Sequence, residues 1–230
     1  MFNYNIYTEV KSVLKSITLH TSQLKSLIHF YTDILKLDIL KSTDNQFTVK
    51  VGESTLTFNE SNKPAFYHFA FNIPGNKFSL MKRWIKEKIP LNWEDGRDEV
   101  YFSNFDADSI YFEDPSGNII ELIGRRKQNI VEELTSGAFL NISEIGIVTP
   151  YVREVGGQLQ DFGIPLLWET EINSNNLNFL GRDHSFIVLV PPNRKWYFSK
   201  QKSKVYPLEI ALNNGRHITL DSQGKVKLKA

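Results

Sequence analysis

The chain has 230 residues, of which 41% are hydrophobic and 23% are charged, the composition of an ordinary soluble globular protein. Its formal net charge of +1 gives no electrostatic basis for binding nucleic acid or an anionic membrane. Cysteine is absent, so a transition metal would have to be held by histidines and carboxylates. The N-terminus lacks the apolar core of a signal peptide, and no apolar run approaches about 20 residues. We therefore expect a cytoplasmic protein with no nucleic-acid or membrane partner.

Strands and helices are predicted in a repeating order. A first strand, residues 12–21, alternates in polarity, and the helix that follows has apolar residues at helical spacing from Leu24 to Leu35. Three short strands complete this repeat. The second repeat begins with a strand at 65–73 and a helix at 77–88. The short strands predicted in the two repeats are 37–42, 46–51, 54–59, 91–93, 99–102, 109–112 and 118–123.

A third repeat begins at Ser143, and a fourth is truncated. The third has the strand sequence EIGIVT and a helix near residues 151–162, and the fourth reduces to a strand and a hairpin. The other strands predicted here are 166–172, 177–180, 186–190 and 206–213. A polar joint at residues 125–137 separates the second repeat from the third. We therefore divide the chain into residues 1–128, with two complete repeats, and residues 129–230, with the degenerate third and truncated fourth.

Two histidines and one glutamate fall on the strands of the first two repeats. His20 and His68 lie in the first strands, and Glu121 lies among aliphatic residues in the last strand of the second repeat. A strand histidine is more often a core or surface residue than a ligand, but a buried carboxylate needs a cation or a shifted pKa. Two imidazoles and one carboxylate match a facial triad with open positions. We therefore predict a site for a divalent metal.

Other residues are candidates for contacts with a substrate. Arg97, Arg125 and Arg126 could hold an anionic group, although charges in loops are usually only solvated. Tyr111 precedes Glu121 across a turn, and a phenol near a metal can orient a substrate or donate a proton. Tyr111 is therefore the predicted catalytic residue.

Three stretches of the chain resemble the vicinal oxygen chelate superfamily, which includes glyoxalase I, extradiol ring-cleaving dioxygenases and fosfomycin- and bleomycin-resistance proteins. They are LHTSQLKSLIHFYTDILKLDIL (19–40), HFAFNIPG (68–75) and YFEDPSGNIIELIG (111–124). The resemblance implies an α+β fold in which paired βαβββ modules form a curled mixed sheet around a cleft, and it places metal ligands at His20, His68 and Glu121. Lys36 replaces the usual glycine of the first stretch, and Thr55 stands where glyoxalase I has a fourth ligand.

The resemblance also implies an activity and a small-molecule substrate. A site with three ligands is similar to that of the dioxygenases, so we expect a metal-dependent, ring-cleaving dioxygenase-like enzyme that acts on adjacent oxygens. Iron(II) is favoured over manganese, nickel or zinc. The alternatives are a glyoxalase-like lyase, isomerase or thiol transferase, and a metal-free drug-binding protein. The second half has Val148 and Pro207 where His20 and His68 would correspond, so we expect it to serve as a scaffold, a lid or the surface of a homodimer.

Overall fold

The fold consists of two seven-stranded mixed sheets with three α-helices in the part of the chain that the structure describes. The structure is a computed structural model and describes residues 14–130 and 138–230. The predicted α+β class, with curled mixed sheets, is confirmed. The first two residues of the predicted first strand and residues 131–137 of the predicted joint lie outside the described residues. None of the described helices is long and apolar enough to span a membrane.

The helices and strands follow the predicted order closely. The helices are α1 Leu24–His29, which continues as a π-helical segment Phe30–Ile34, α2 Phe78–Lys86 and α3 Val152–Asp161. The strands are β1 Leu14–Thr21, β2 Ile39–Thr43, β3 Gln46–Val51, β4 Ser54–Glu60, β5 His68–Pro74, β6 Val100–Phe102, β7 Ala107–Glu113, β8 Ile119–Arg125, β9 Asn141–Val148, β10 Asn178–Arg182, β11 Ser185–Val190, β12 Leu208–Leu212, β13 His217–Leu220 and β14 Val226–Lys229. The strands predicted at 91–93 and 166–172 do not form. In the second of these segments, Leu166 makes a single bridge to Leu180.

Each sheet joins strands from the two halves of the chain. The first sheet has the order β14-β13-β12-β1-β4-β3-β2, and the second has the order β10-β11-β9-β5-β8-β7-β6. Inside each of the first three modules the first and last strands pair in parallel, as β1 with β4, β5 with β8, and β9 with β11. The modules are joined by antiparallel pairs of their first strands, β1 with β12 and β5 with β9.

This pairing differs from the expectation that residues 1–128 form a unit of their own. The first two modules lie in different sheets, and each is completed by strands from residues 129–230. The first strand of every module offers an edge of backbone N–H and C=O groups to whichever strand lies beside it. Hydrophobic periodicity therefore identifies the modules but not their partners.

The two sheets share one hydrophobic core. Ile17 and Phe58 of the first sheet belong to the same cluster as Ile120 and Leu122 of the second. Side chains alternate along a strand, so Glu121 lies on the opposite face of β8 from this core. On that opposite face a smaller cluster includes Tyr111, Ile119, Val148, Val188, Trp196 and Phe198. The second sheet is therefore buried on both faces.

Two backbone positions explain local features of the first module. Lys36, at the position where the superfamily usually has glycine, has a φ of 59°, the left-handed conformation that glycine adopts most easily. Gly52 has a φ of 56° in the turn between β3 and β4, and a Cβ atom there would lie 2.0 Å from the carbonyl oxygen of Leu140. The next residue, Glu53, donates its backbone N–H to that oxygen over 2.9 Å. The turn therefore fixes the first sheet against the start of β9.

Candidate metal centre

Three potential metal ligands lie on adjacent strands of the second sheet. His68 is the first residue of β5, and Glu121 in β8 and Glu144 in β9 lie on either side of that strand. The register places Ala70 beside both carboxylate residues, so only a methyl group separates them in the middle strand. One ligand atom from each side chain lies within 4.8 Å of the other two. Within the described ranges this is the one such group of three.

The orientation of His68 suits a metal ligand. Its Nδ1 lies 3.2 Å from the carbonyl oxygen of Ile119, which accepts the Nδ1 proton in the matching neutral tautomer. Its Nε2 lies 3.7 Å from Oε2 of Glu121 and 3.9 Å from Oε2 of Glu144. In that tautomer the lone pair of Nε2 is directed to the carboxylates, and a backbone carbonyl fixes the ring, as is usual for metal-binding histidines.

The distances and the burial fit a divalent cation. Metal–ligand bonds of about 2.1 Å place neighbouring ligand atoms about 3 Å apart, and the two separations from Nε2 of His68 exceed that by less than about 1 Å. The three side chains are only 4–7% exposed. Two buried carboxylates with one neutral imidazole form a mainly oxygen donor set, which suits manganese(II) and iron(II) better than softer ligand sets do.

The electrostatics of Glu121 are compatible with a bound cation. Burial and the nearby carboxylate of Glu144 raise the pKa of Glu121 to about 7, and His68 opposes this rise. Two carboxylates that approach each other in a buried site cannot both ionise without cost. The positive charge of a dication would offset this cost by favouring the ionised forms.

The predicted ligand set is revised by this geometry. The structure brings His68 and Glu121 together, but His20 lies in β1, a strand of the first sheet. The backbone N–H of His20 donates to the hydroxyl of Tyr67 over 3.2 Å. Thr55, the predicted counterpart of a fourth ligand, is in β4 of the first sheet as well.

Glu144 is the ligand candidate that the sequence analysis missed. We expected the second half to serve as a scaffold, a lid or the surface of a homodimer, yet the first strand of the third module supplies the second carboxylate. A signal was present in the sequence. Glu144 is the single charged residue in the run ISEIGIV, a pattern similar to the one that drew attention to Glu121.

A cavity of about 490 Å³ opens over the three ligand candidates. Its floor includes alternate residues of β7 and β8, and its walls come from loops and from the third module. The aromatic residues that line it are Tyr101, Phe102, Phe105, Tyr111, Trp168, Phe179, Trp196 and Tyr197. Two cationic residues, Arg125 and Arg194, also line it, whereas Arg97 does not. The cavity is therefore mainly aromatic, with a few polar groups on its floor.

Tyr111 stands beside the metal-ligand candidates. It lies directly opposite Glu121 in the pairing of β7 with β8, and its ring stacks on Phe198 at 4.8 Å and 10°. Burial, followed by the charge of Glu121, raises the pKa of the Tyr111 hydroxyl well above its usual value. The phenol therefore remains protonated at neutral pH and can donate a hydrogen bond or a proton.

Comparisons with known proteins agree with this fold and site. The metallothiol transferase FosB of Staphylococcus haemolyticus (strain JCSC1435) is 34% identical over 116 residues, which cover 47% of this chain and 81% of the relative. FosB of Staphylococcus epidermidis (strain ATCC 12228) is 35% identical over 121 residues, or 50% of this chain and 82% of the relative. The chain belongs to the vicinal oxygen chelate superfamily.

Two further comparisons are with a family model and with a solved structure. A family model described as "Toxoflavin-degrading enzyme" matches residues 142–194, the segment that contains Glu144 and the strands β9 to β11. The crystal structure of a putative dioxygenase from Bacillus subtilis subsp. subtilis str. 168 superposes with a TM-score of 0.57 at 13% identity, covering 78% of this chain and 64% of that chain. At this identity the structural match shows the fold alone. It extends over more of the chain than either FosB match.

Proposed function

We propose that the protein is a divalent-metal-dependent enzyme that opens an oxygenated aromatic ring, with His68, Glu121 and Glu144 as the metal ligands. The observation that carries the proposal is the convergence of these three buried side chains on the floor of an aromatic cavity. Manganese(II) and iron(II) are the favoured ions because two of the three donors are carboxylates. Bound there, such an ion would supply Lewis acidity towards adjacent substrate oxygens and, being redox-active, a route for electrons.

The cavity favours a flat substrate. Rings from several elements surround it, and Phe105 packs against Trp168 and Phe179 with centroid distances of 4.5 and 5.1 Å. Aromatic walls of this kind stack on planar molecules and exclude water from them. The match of residues 142–194 to a family of toxoflavin-degrading enzymes supports a planar heteroaromatic substrate as well.

Tyr111 is the proposed acid. Its protonated hydroxyl stands next to Glu121 and is held by stacking on Phe198, so it can donate a hydrogen bond to a substrate oxygen that lies over the metal ligands. His68 and the two glutamates orient the substrate through the ion. The buried aromatic side chains Trp196 and Phe198 exclude water from the same space.

Metal analysis and oxygen uptake test this proposal together. Purified protein reconstituted with manganese(II) or iron(II) should bind about one equivalent, and it should consume oxygen with toxoflavin or with a member of a panel of catechols. His68→Ala should lose both the metal and the oxygen uptake. His20→Ala is the matched control and should retain both, because His20 lies in the other sheet. Stoichiometric metal with no oxygen uptake on any panel member would refute ring cleavage and leave the metal site intact.

Thiol transfer is the second candidate, and its support is the identity of 34–35% to the metallothiol transferases. Such a reaction needs no oxygen, so it predicts turnover of an epoxide and a thiol under anaerobic conditions with a redox-inert ion. Anaerobic turnover would favour this candidate over ring cleavage. Binding of an aromatic drug that stays unchanged, with no metal required, would instead favour a sequestering protein.

A further inference from the structure

A buried arginine lies at the far end of the cavity floor from Tyr111 and Glu121. Arg125, the last residue of β8, is 2% exposed and lines the cavity. Its Nε donates to Oδ1 of Asn72 over 3.1 Å, and its Nη2 donates to Oγ of Ser143 over 3.0 Å. Its Nη1 has no hydrogen-bond partner among the described residues. An unpaired donor on a buried cation is costly unless a ligand satisfies it.

The floor of the cavity forms a track between this arginine and the metal-ligand candidates. Glu121, Ile123 and Arg125 alternate along β8 on one face, and all three line the cavity. The facing row on β7 pairs Tyr111 with Glu121 and, at the other end, Ala107 with Arg125. Four residues of strand correspond to about 13 Å between the two ends at about 3.3 Å per residue. This interval suits an elongated planar ligand of the size of a bicyclic aromatic molecule.

Two aromatic rings lie close to the guanidinium of Arg125. The rings of Phe105 and Phe186 lie 5.4 and 5.7 Å from the guanidinium carbon. No carboxylate among the described residues forms an ion pair with Arg125, whereas the adjacent Arg126 is exposed and pairs with Asp108 at 3.0 Å. The desolvated cation therefore has a free donor and no direct counter-ion.

We propose that Arg125 anchors the substrate, and that the substrate class is a planar aromatic molecule with adjacent oxygens at one end and an anionic oxygen at the other. This rests on the proposed function, which assigns the metal to the opposite end of the track. A dication with Glu121 and Glu144 is neutral, so Arg125 and Arg194 leave the cavity with a net positive charge. An anionic ligand complements that charge, and Arg125 is the buried one of the two cations. The guanidinium then selects substrates by the anionic oxygen at the end remote from the metal, and it takes no part in the chemistry at the metal.

The opposing interpretation is that Arg125 only balances the two glutamates. Burial lowers the pKa of Arg125 below its usual value, and the charges of Glu144 and Glu121 oppose that shift, so the charges influence one another. A counter-ion of this kind would make affinity for metal depend on Arg125 but would not discriminate between ligands of equal shape. Ligand discrimination is therefore the decisive measurement.

The experiment uses zinc-loaded protein, because zinc binds the diol without redox turnover. Calorimetry compares 6,7-dihydroxy-2-naphthoate with its carboxamide, which has the same shape and no charge. The wild type should bind the carboxylate about tenfold or more tightly than the amide. Arg125→Met should reduce that ratio to about one. Arg126→Met and Arg194→Met are the matched controls, one for the neighbouring exposed arginine and one for the other cation of the cavity, and both should keep the wild-type ratio.

Each outcome has a distinct meaning. Equal affinities for the two probes in the wild type, no binding of either probe with zinc bound, or a ratio that falls in Arg194→Met would overturn the role of Arg125. These outcomes need no Arg125 variant, so they stand even if Arg125→Met does not fold. A wild type that fails to bind zinc contradicts the proposed metal site instead.

Discussion

Glu144 is the most informative residue to change, because it lies in a module that the sequence suggested would hold no ligand. Glu144→Gln keeps the shape of the side chain and removes its charge. We expect two effects of opposite sign: the protein should bind metal much more weakly, and the metal-free protein should become more stable at pH 8. A simple folding defect would instead lower both the affinity for metal and the free energy of unfolding.

The magnitudes follow from the geometry of the site. Ligand atoms of the group lie within 4.8 Å of one another, and two unit charges at that separation interact by about 3.5 kcal/mol at an effective dielectric constant of about 20. This value gives the order of magnitude of the repulsion that Glu144→Gln relieves at Glu121. Loss of an outer-shell partner weakens metal binding by about 10–100-fold, so loss of a direct carboxylate ligand should weaken it by about 10²–10³-fold.

Two assays check these effects. Competition with a chelator gives the affinity for manganese(II), and urea unfolding of metal-free protein gives the free energy of unfolding. His20→Ala serves as the control and should change the affinity for manganese by less than about twofold, because His20 lies in the other sheet. If Glu144→Gln bound manganese as the wild type does, or if His20→Ala lost it, the assignment of ligands would be wrong.

Three further changes test other parts of the structure. Burial raises the pKa of Asp114 to about 6 from 3.8, so the folded state keeps this proton to a higher pH than the unfolded state does. The free energy of unfolding should therefore fall by about 3 kcal/mol as the pH rises from below 3.8 to above 6. Urea unfolding at pH 4 and pH 7 should show this dependence in the wild type and its loss in Asp114→Asn. Gly52→Ala should lower the free energy of unfolding by about 2 kcal/mol or more, because its Cβ would meet the carbonyl oxygen of Leu140. Gly96→Ala, which has open space around its Cβ, should lower it by about 1 kcal/mol, and thermal unfolding measures both effects. Phe58→Ala should cost about 3–5 kcal/mol, since Phe58 is fully buried in the shared core, and an unchanged Tm would contradict that packing.

Much of the fold could be predicted from local patterns. The alternation and helical spacing of apolar residues gave most strands and all three described helices within a few residues, because each element signals its own period. Glu121 could be recognised because a carboxylate between aliphatic residues must face a polar partner or a cation. His68 could be recognised with it, since it is the only titratable residue of its strand, and the structure places it beside the start of β8.

The failure at His20 has a geometric cause. His20 lies four residues before the first residue of its helix, whereas His68 lies ten residues before its own, so the two occupy opposite ends of their strands. Counted from the following helix, Glu144 stands eight residues upstream, as do Ser16 in the first module and Ala70 in the second. Glu144 therefore occupies a position equivalent to those two residues. A count of residues from the helix, rather than membership of a first strand, would have excluded His20.

The partnership of the modules could not be predicted in the same way. The antiparallel contact of β5 with β9 and that of β1 with β12 depend on which modules meet after folding, and residues far apart in the chain decide this. A short local window carries no information about such a choice. The site depends on it, because Glu144 reaches Glu121 only across β5.

The nested order of the modules has a consequence for biosynthesis. Every strand of the second sheet lies between His68 and Val190, so this sheet, with its three ligand candidates, has all its strands before β12 is synthesised. The first sheet is completed later, because Ile17 of β1 pairs with Ile210 of β12. Until then β1 presents an open edge, the kind of surface through which nascent chains aggregate. The sheet with the three ligand candidates can thus form early, and the first sheet stays incomplete until β12 has been synthesised.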